Sequence, residues 1–404
     1  MGMGNIANTG MQAAMSNMDI ISNNIANANT YGFKRASANF ADLFPSGNDA
    51  SSVQIGLGVA VTGSQEDFTP GGPSAPTNLA SDFSIGGNGF FIMKDATSGQ
   101  STYSRYGHFG FDRTTGFFTI GNSRLQGFPA VNGSVPAGST PADLHVNTAP
   151  VPAVPTTLIT QSGLNLSASD VIPVTTPFDP NTSTSYNYTT GSKIVDSLGT
   201  QHDLNIYYVK TGSNAWGVNV YVDGNVITNT ATMTFTSAGA LNTTTGLTGL
   251  NYVPGTGATS PQTFDISMTQ ATQFGSPDGA NPFTVNGYGA GEFQSYTVDK
   301  NGIVNATYTN GPPVVVGQIA LAEFQSPQGL VDVGNQSWTA NTASGAPIIN
   351  QSNSTGIINQ GTLELSNVDL ATEMVNLINA QNTFQANAQV EQVYNQVMQT
   401  VTKL

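Results

Sequence analysis

From Leu370 to Leu404 the chain contains neither proline nor glycine, and its apolar residues recur at helical spacing. Leu370, Met374, Leu377, Ile378 and Phe384 come first, then, after a drift in phase, Val390, Val393, Val397, Val401 and Leu404. Residues three and four apart share one face of a helix, so this spacing predicts a long amphipathic helix. Ser366-Asn367-Val368-Asp369 supplies its start signal: the serine hydroxyl can cap a free backbone N–H, and the acid suits the positive helix end. The opposite face carries Asn376, Asn379, Gln381, Gln385, Asn387, Gln392 and Asn395 rather than lysine and glutamate. Uncharged amides suit a helix enclosed by other helices better than one facing water.

An isolated helix is marginal in water, so such a stripe needs a partner. The matching segment stands at the other end of the chain, where Met11, Met15, Met18, Ile21 and Ile25 repeat at spacings of three and four. A helix is expected from about Thr9 to Ala28, with Asn8 or Thr9 as its cap and the Asn29-Thr30-Tyr31-Gly32 cluster as its stop. The two ends should meet as a coiled-coil-like stem, the rest of the chain forming one outward excursion and return. Stripes of this kind serve equally as the core of a single compact molecule or as an intermolecular bundle. Periodicity alone leaves both open.

Charge and composition narrow the function classes. The 404 residues allow two to four domains. Lys plus Arg is 10 against 24 for Asp plus Glu, so no basic patch for a phosphate backbone is expected and nucleic acid is not a predicted partner. Charged residues make up only 8%, a surface that tends towards association. Cysteine is absent, which excludes disulfides, thiolate metal sites and a cysteine nucleophile. No apolar run reaches the ~20 residues of a membrane span, so membrane insertion is not expected. The MGMGNIANTG start lacks the basic and apolar regions of a secretory signal.

Between the helices the pattern changes to strands. Residues 31–78 read as an extended connector, with a short hairpin around Val53 to Thr62. From Ser81 to Phe128 short alternating runs separated by turns predict an all-β unit. Residues 129–180, rich in Pro, Thr, Ser, Ala and Val, read as an extended crossing without a core. A second β unit follows, with strands near Lys193–Val195, Asp203–Val209, Trp216–Val222 and Thr263–Thr269 and a hairpin turn at Asp223-Gly224-Asn225. Beyond Gly291 the first pattern returns. The predicted fold is mainly β with long terminal α-helices. Its parts are a helical core domain (1–30 and 363–404), the connector (31–78), an inner β domain (79–149 and 290–362) and an outer β domain (150–289).

Catalytic chemistry has little support in the residues. His108, His145 and His202 have no ligand-like spacing, so no metal site is expected. Glu66 and Asp67 are adjacent, and on a strand would point to opposite faces rather than flank one bond. The glycine groups at Gly56–Gly58, Gly86–Gly89 and Gly287–Gly291 precede no helical pattern, which makes them turns rather than phosphate loops. No cofactor and no catalytic residue is predicted. Tyr186, Tyr188, Tyr207, Tyr208 and Trp216 leave one binding alternative, a sugar platform on a secreted β-rich adhesin whose terminal helices oligomerise.

Ser22-Asn23-Asn24-Ile25-Ala26-Asn27 followed by Thr30-Tyr31-Gly32-Phe33-Lys34 resembles the N-terminal signature of the bacterial flagellar rod and hook family. The run Leu363-Glu364-Leu365-Ser366-Asn367-Val368-Asp369-Leu370, continuing through Glu373-Met374-Val375 to Phe384-Gln385-Ala386-Asn387-Ala388, resembles its C-terminal half. Asn88-Gly89-Phe90-Phe91, Tyr103-Ser104-Arg105 and Gly317-Gln318-Ile319-Ala320-Leu321-Ala322 are similar to the family as well. The large middle insertion resembles hook members rather than the shorter rod members, a distal-rod role being the nearer alternative.

The resemblance implies a non-enzymatic subunit that polymerises head-to-tail into a flexible tube passing motor torque to the filament. It implies export through the flagellar apparatus without a cleaved signal, and contacts with the rod, the hook cap and the hook–filament junction protein. Lacking cysteine, this chain cannot form the Cys-dependent cross-link of some hooks. The expected assembly surfaces are Met11, Met15, Met18, Ile21 and Ile25, with Asn23, Asn24, Asn27, Tyr31 and Phe33 of the signature. On the C-terminal side they are Leu370, Met374, Leu377, Ile378, Phe384, Val390, Val393, Val397, Val401 and Leu404.

Overall fold

The computed structural model describes residues 3–44, 56–70 and 74–402, which divide into two compact units. One comprises residues 1–148, 295–306 and 314–404; the other comprises 149–294 and 307–313.

In the first unit the expected pairing of the chain ends is present. Helix α1 (Met3–Ala26) lies against the long C-terminal helix α3 (Leu370–Val401); a single helical turn, α2 (Ser352–Thr355), precedes α3 in the chain. The two long helices run antiparallel, with Gly4 beside Tyr394 and Gly10 beside Asn387. Glycine in a helix costs about 1 kcal/mol relative to alanine. Here it permits close approach, because a Cβ on Gly10 would lie 2.8 Å from Asn387 Nδ2.

Three boundaries differ from expectation. Helix α1 begins by Met3 rather than Thr9. Thr9 is no cap: its hydroxyl donates to the Ile6 carbonyl within the helix. Helix α3 is capped by Asp369, whose Oδ1 accepts from Thr372 N at 2.7 Å, and not by Ser366, whose hydroxyl accepts from Val368 N. A carboxylate three residues closer to the first free N–H groups takes the cap. The expected stripe-on-stripe seam is also replaced. Helix α3 faces α1 through Glu373, Ala380, Asn387 and Tyr394, one heptad apart, while most of its aliphatic residues point elsewhere.

The connector is a long antiparallel hairpin, β1 (Ala36–Leu43) with β2 (Gly58–Glu66), laid along α1. Val53 and the rest of 45–55 lie outside the described residues. The hairpin is fixed to α1 from both ends. Buried Asn24 donates to the Ala36 carbonyl and accepts from the Ala36 N–H, and Gly58, at φ +112°, sits so close to Thr9 that a Cβ would meet its hydroxyl at 2.0 Å.

The β body of this unit is antiparallel and mixes distant parts of the chain. The strand Val314–Glu323 pairs with Phe90–Asp95, Ser123–Pro129 and Ile348–Gln351. Phe83–Gly87 pairs with Gly356–Gln360. Phe90, Phe324, Trp338 and Phe68 interlock edge to face, with centroids 5.3–5.9 Å apart. Such pairs add about 0.5–1.5 kcal/mol beyond their burial.

The second unit has one core between a five-stranded antiparallel meander, Tyr188 to Thr245, and a four-stranded sheet made by 158–160, 250–252, 262–267 and 284–285. Alternation sends Leu204, Ile206 and Tyr208 inward, opposite Val218, Val220 and Val222. Asp223 and Gly224, both at positive φ, make the tight turn to the next strand. Tyr208 and Trp216 are fully buried, so the five aromatics considered as a sugar platform do not share a surface. The Pro- and Thr-rich stretch 129–180 does contribute to cores. Leu144 and Val146 are buried in the first unit, and Ile159, Leu164 and Leu166 in the second.

Candidate assembly interface

Helix α3 is long, uncharged over most of its surface and largely uncovered. Leu370, Met374, Val375, Ile378, Val390, Val393, Val397 and Val401 are exposed, with Met374 at 50% and Val393 at 57%. Leu377 and Phe384 are half-buried, and Leu404 lies outside the described residues. An exposed aliphatic residue is ordinary singly, but a row of them on one helix marks an interaction surface.

These residues fall on two sides of the helix. At about 100° per residue, Leu370, Met374 and Ile378 lie about 165° from the face formed by Asn376, Asn379, Ala380, Thr383 and Asn387. Val390, Val393, Val397 and Val401 turn back towards that second face, which is what the drift in phase produces. Helix α1 divides in the same way. Met11 and Met18 are half-buried and Met15 is 52% exposed; they lie about 165° from Ile6, Ala13 and Ile20.

The second face is concave. Between α1, the hairpin and α3 runs an open groove of about 780 Å³, whose wall includes Ile6, Ala13, Ile20, Phe40, Val59 and Asn379. Arg35 and Glu373 stand at its edge, 3.9 Å apart, and Arg35 also pairs with Asp67 at 3.2 Å.

Other predicted residues serve the fold of one copy. Ile21 is buried and Asn24 spends both ends of its amide on Ala36, so neither is a surface available to a neighbour. Asn27 donates to the Asn23 carbonyl and side chain and accepts from Thr30 Oγ1, which closes the C-terminal end of α1. Ile25 and Phe33 are half-buried; Asn23 and Tyr31 are exposed.

Beneath this helical layer lies a buried ionic node that sequence reading missed. Glu364 receives Lys34 Nζ at 2.7 Å on one oxygen and Arg105 at 3.3 Å on the other, all three side chains being at most 3% exposed. Lys34 also donates to the Thr69 carbonyl, and Arg105 to the Gly87 carbonyl. Burial pulls both cations below their ordinary pKa, and the carboxylate of Glu364 offsets part of that pull. Nearby, Trp338 Nε1 donates to Glu66 Oε2 at 2.5 Å. Burial and the charge of Asp332 push Glu66 up to about 7, against the opposing effect of that hydrogen bond. The partners are separated by up to 330 positions, and the signal available for them was that each stands in one of the motifs resembling the rod and hook family.

In the second unit His202 is held between Asp223, at 2.6 Å from Nδ1, and Asp196, at 3.3 Å from Nε2. Burial alone would depress its pKa, but the two aspartates outweigh burial and hold it above the ordinary value. Among the described residues no group of three or more His, Cys, Asp and Glu is arranged to hold a metal, and no helix is long and apolar enough to cross a membrane.

Comparison with known proteins places this arrangement in context. Residues 5–34 match the family model for the flagella basal body rod protein, 165–288 that for the flagellar basal body protein FlaE D2 domain, and 359–404 that for the flagellar basal body rod FlgEFG protein C-terminal. The flagellar hook protein FlgE of Escherichia coli K12 is 36% identical over 408 residues, covering 98% of both chains. That of Borreliella burgdorferi is 29% identical over 436 residues, again covering 98% of both. The crystal structure of Helicobacter pylori flagellar hook protein FlgE2 shares the fold, with a TM-score of 0.52 at 12% identity over 72% of this chain and 100% of that one.

Proposed function

Because this chain belongs to the flagellar hook protein family, and is thus a non-enzymatic structural subunit of the hook, we propose that the uncovered flanks of α1 and α3 are the surfaces through which copies join. The observation that carries this reading is the row of exposed aliphatic residues on α3, a helix of 32 residues with almost no charge on its surface. Fully burying such a side chain is worth roughly 1.5–3 kcal/mol. Four half-exposed valines, Val390, Val393, Val397 and Val401, therefore offer roughly 3–6 kcal/mol per copy before the costs of association.

Copies add through different patches on their two sides, a heterologous contact that does not close and so grows a helical tube. The tube bends under torque because the β units have few charges, so neighbouring surfaces slide without breaking strong ion pairs. The four-part division read from the sequence fits this role: a helical core domain holds, a connector and inner β domain link, and an outer β domain slides. The chain is exported through the flagellar export apparatus and stands outside the cell. It meets the rod at the proximal end, and the cap and junction proteins at the distal end.

Electron microscopy of concentrated protein tests the reading. Native chain forms tubes, whereas the Val393→Asp/Val397→Asp variant, altered only at exposed positions, folds as a monomer and forms none. Tubes of normal yield from the variant would overturn the reading.

A further inference from the structure

Resting on that assembly reading, we infer that the methionine-bearing side of the helix pair in one copy seats in the hairpin groove of the next. The knob is formed by Met11, Met15 and Met18 of α1 with Leu370, Met374 and Ile378 of α3. The socket is the groove between α1, β1, β2 and α3.

The geometry points to a second copy as the occupant. Knob and socket lie on opposite sides of one helix pair. Along α3 they occupy overlapping levels: residues 370–378 with the stretch of about 379–387 that Met11 to Met18 stand opposite for the knob, and 373–387 for the socket. A knob on one side and a socket on the other is what an open, repeating contact requires. Knob-to-knob contact would be isologous, would stop at a dimer and would leave the groove empty.

Charge is also compatible. On the knob stretch of α3 the one ionic residue, Glu373, is buried and turned towards Arg35 in the groove wall. Arg35 is in turn paired with Asp67 as well as Glu373, so the groove wall presents no isolated charge, and Asp19, four residues after Met15, is an exposed acid beside the methionines. The four methionines of the knob suit a contact that must survive bending. Unbranched thioether side chains refill an irregular space after a small shift, where a β-branched residue would leave a gap.

Cysteine scanning tests the inference cleanly, because the chain has no cysteine of its own. Met374 stands on the knob, half exposed, and Ser37 lines the socket with an exposed side chain. Two full-length variants of distinguishable mass, Met374→Cys and Ser37→Cys, are polymerised together and oxidised. The expected product is a disulfide between unlike chains, formed only in tubes and absent from dilute monomers. Tubes in which Met374→Cys chains join only each other, or in which no disulfide forms, overturn the knob-and-socket contact while leaving the assembly reading intact. Absence of tubes from native protein under the same conditions overturns both.

Discussion

Replacing Glu364 by Gln puts the ionic node to a quantitative test. The substitution preserves shape but removes the carboxylate that pairs with both Lys34 and Arg105, whose side chains are 0% and 2% exposed. One amide end still accepts from Lys34; the other presents N–H groups to the Arg105 guanidinium, donor against donor. Breaking a buried pair by removing one partner costs about 3–5 kcal/mol, and two cations are left here, so the upper half of that range is expected. For a unit of this size each kcal/mol lowers Tm by about 2–4 °C, giving a drop of about 8–20 °C. The chain has two tryptophans, Trp338 in the first unit and Trp216 in the second. In a Trp216→Phe background, Trp338 fluorescence during thermal and urea unfolding reports the first unit alone. In the converse Trp338→Phe background, the second unit should melt unchanged. A loss below about 1 kcal/mol, or an equal loss in both units, would refute the argument that the node is desolvated and holds the chain crossing together. The triple replacement Lys34→Met, Arg105→Leu, Glu364→Leu should recover most of the loss, since apolar residues of similar volume often substitute for buried ions without penalty.

Three further outcomes are expected. Glu66, held at about 7, favours its protonated form in the folded unit, so the stability it contributes is present below about pH 4.5 and is lost as pH rises through 7; Glu66→Gln should flatten the Tm profile of the first unit over that window. His202, raised by Asp223 and Asp196, contributes stability that is full below its ordinary pKa near 6.5 and lost as pH rises through its higher folded value; His202→Gln should remove that slope from Trp216-monitored melts. Gly10→Val places methyl groups against Asn387 and should part α1 from α3, abolishing tubes while the second unit melts normally by Trp216 fluorescence.

The terminal helices were legible because a 3.6-residue period sustained over many residues survives local noise, and the meander at 188–222 because its alternation is strict. The hairpin strand Ala36–Leu43 was not, because Ala, Ser and Asn dilute its pattern and α1, not its own sequence, gives it a surface to lie on. In 129–180 the buried residues Leu144, Val146, Ile159, Leu164 and Leu166 are scattered among Pro, Thr and Ser. Each enters a core that other segments build. The faces of α3 were misjudged for a related reason. Apolar content suggests what a helix must bury, but close approach to α1 selected alanine, asparagine and glycine for the seam and left the valines outside. The Lys34–Glu364–Arg105 node joins residues far apart in the chain, so the local motifs that hold each of them could not show that they pair.

The account turns on whether the valine flank of α3 is open in one copy and covered in the polymer. A single Val393→Cys variant supplies the measurement, the rate of maleimide labelling in dilute monomer and in assembled tubes. We expect rapid labelling of the monomer and strong protection in the tube. Equal rates in both states, or a monomer already protected, would contradict the account.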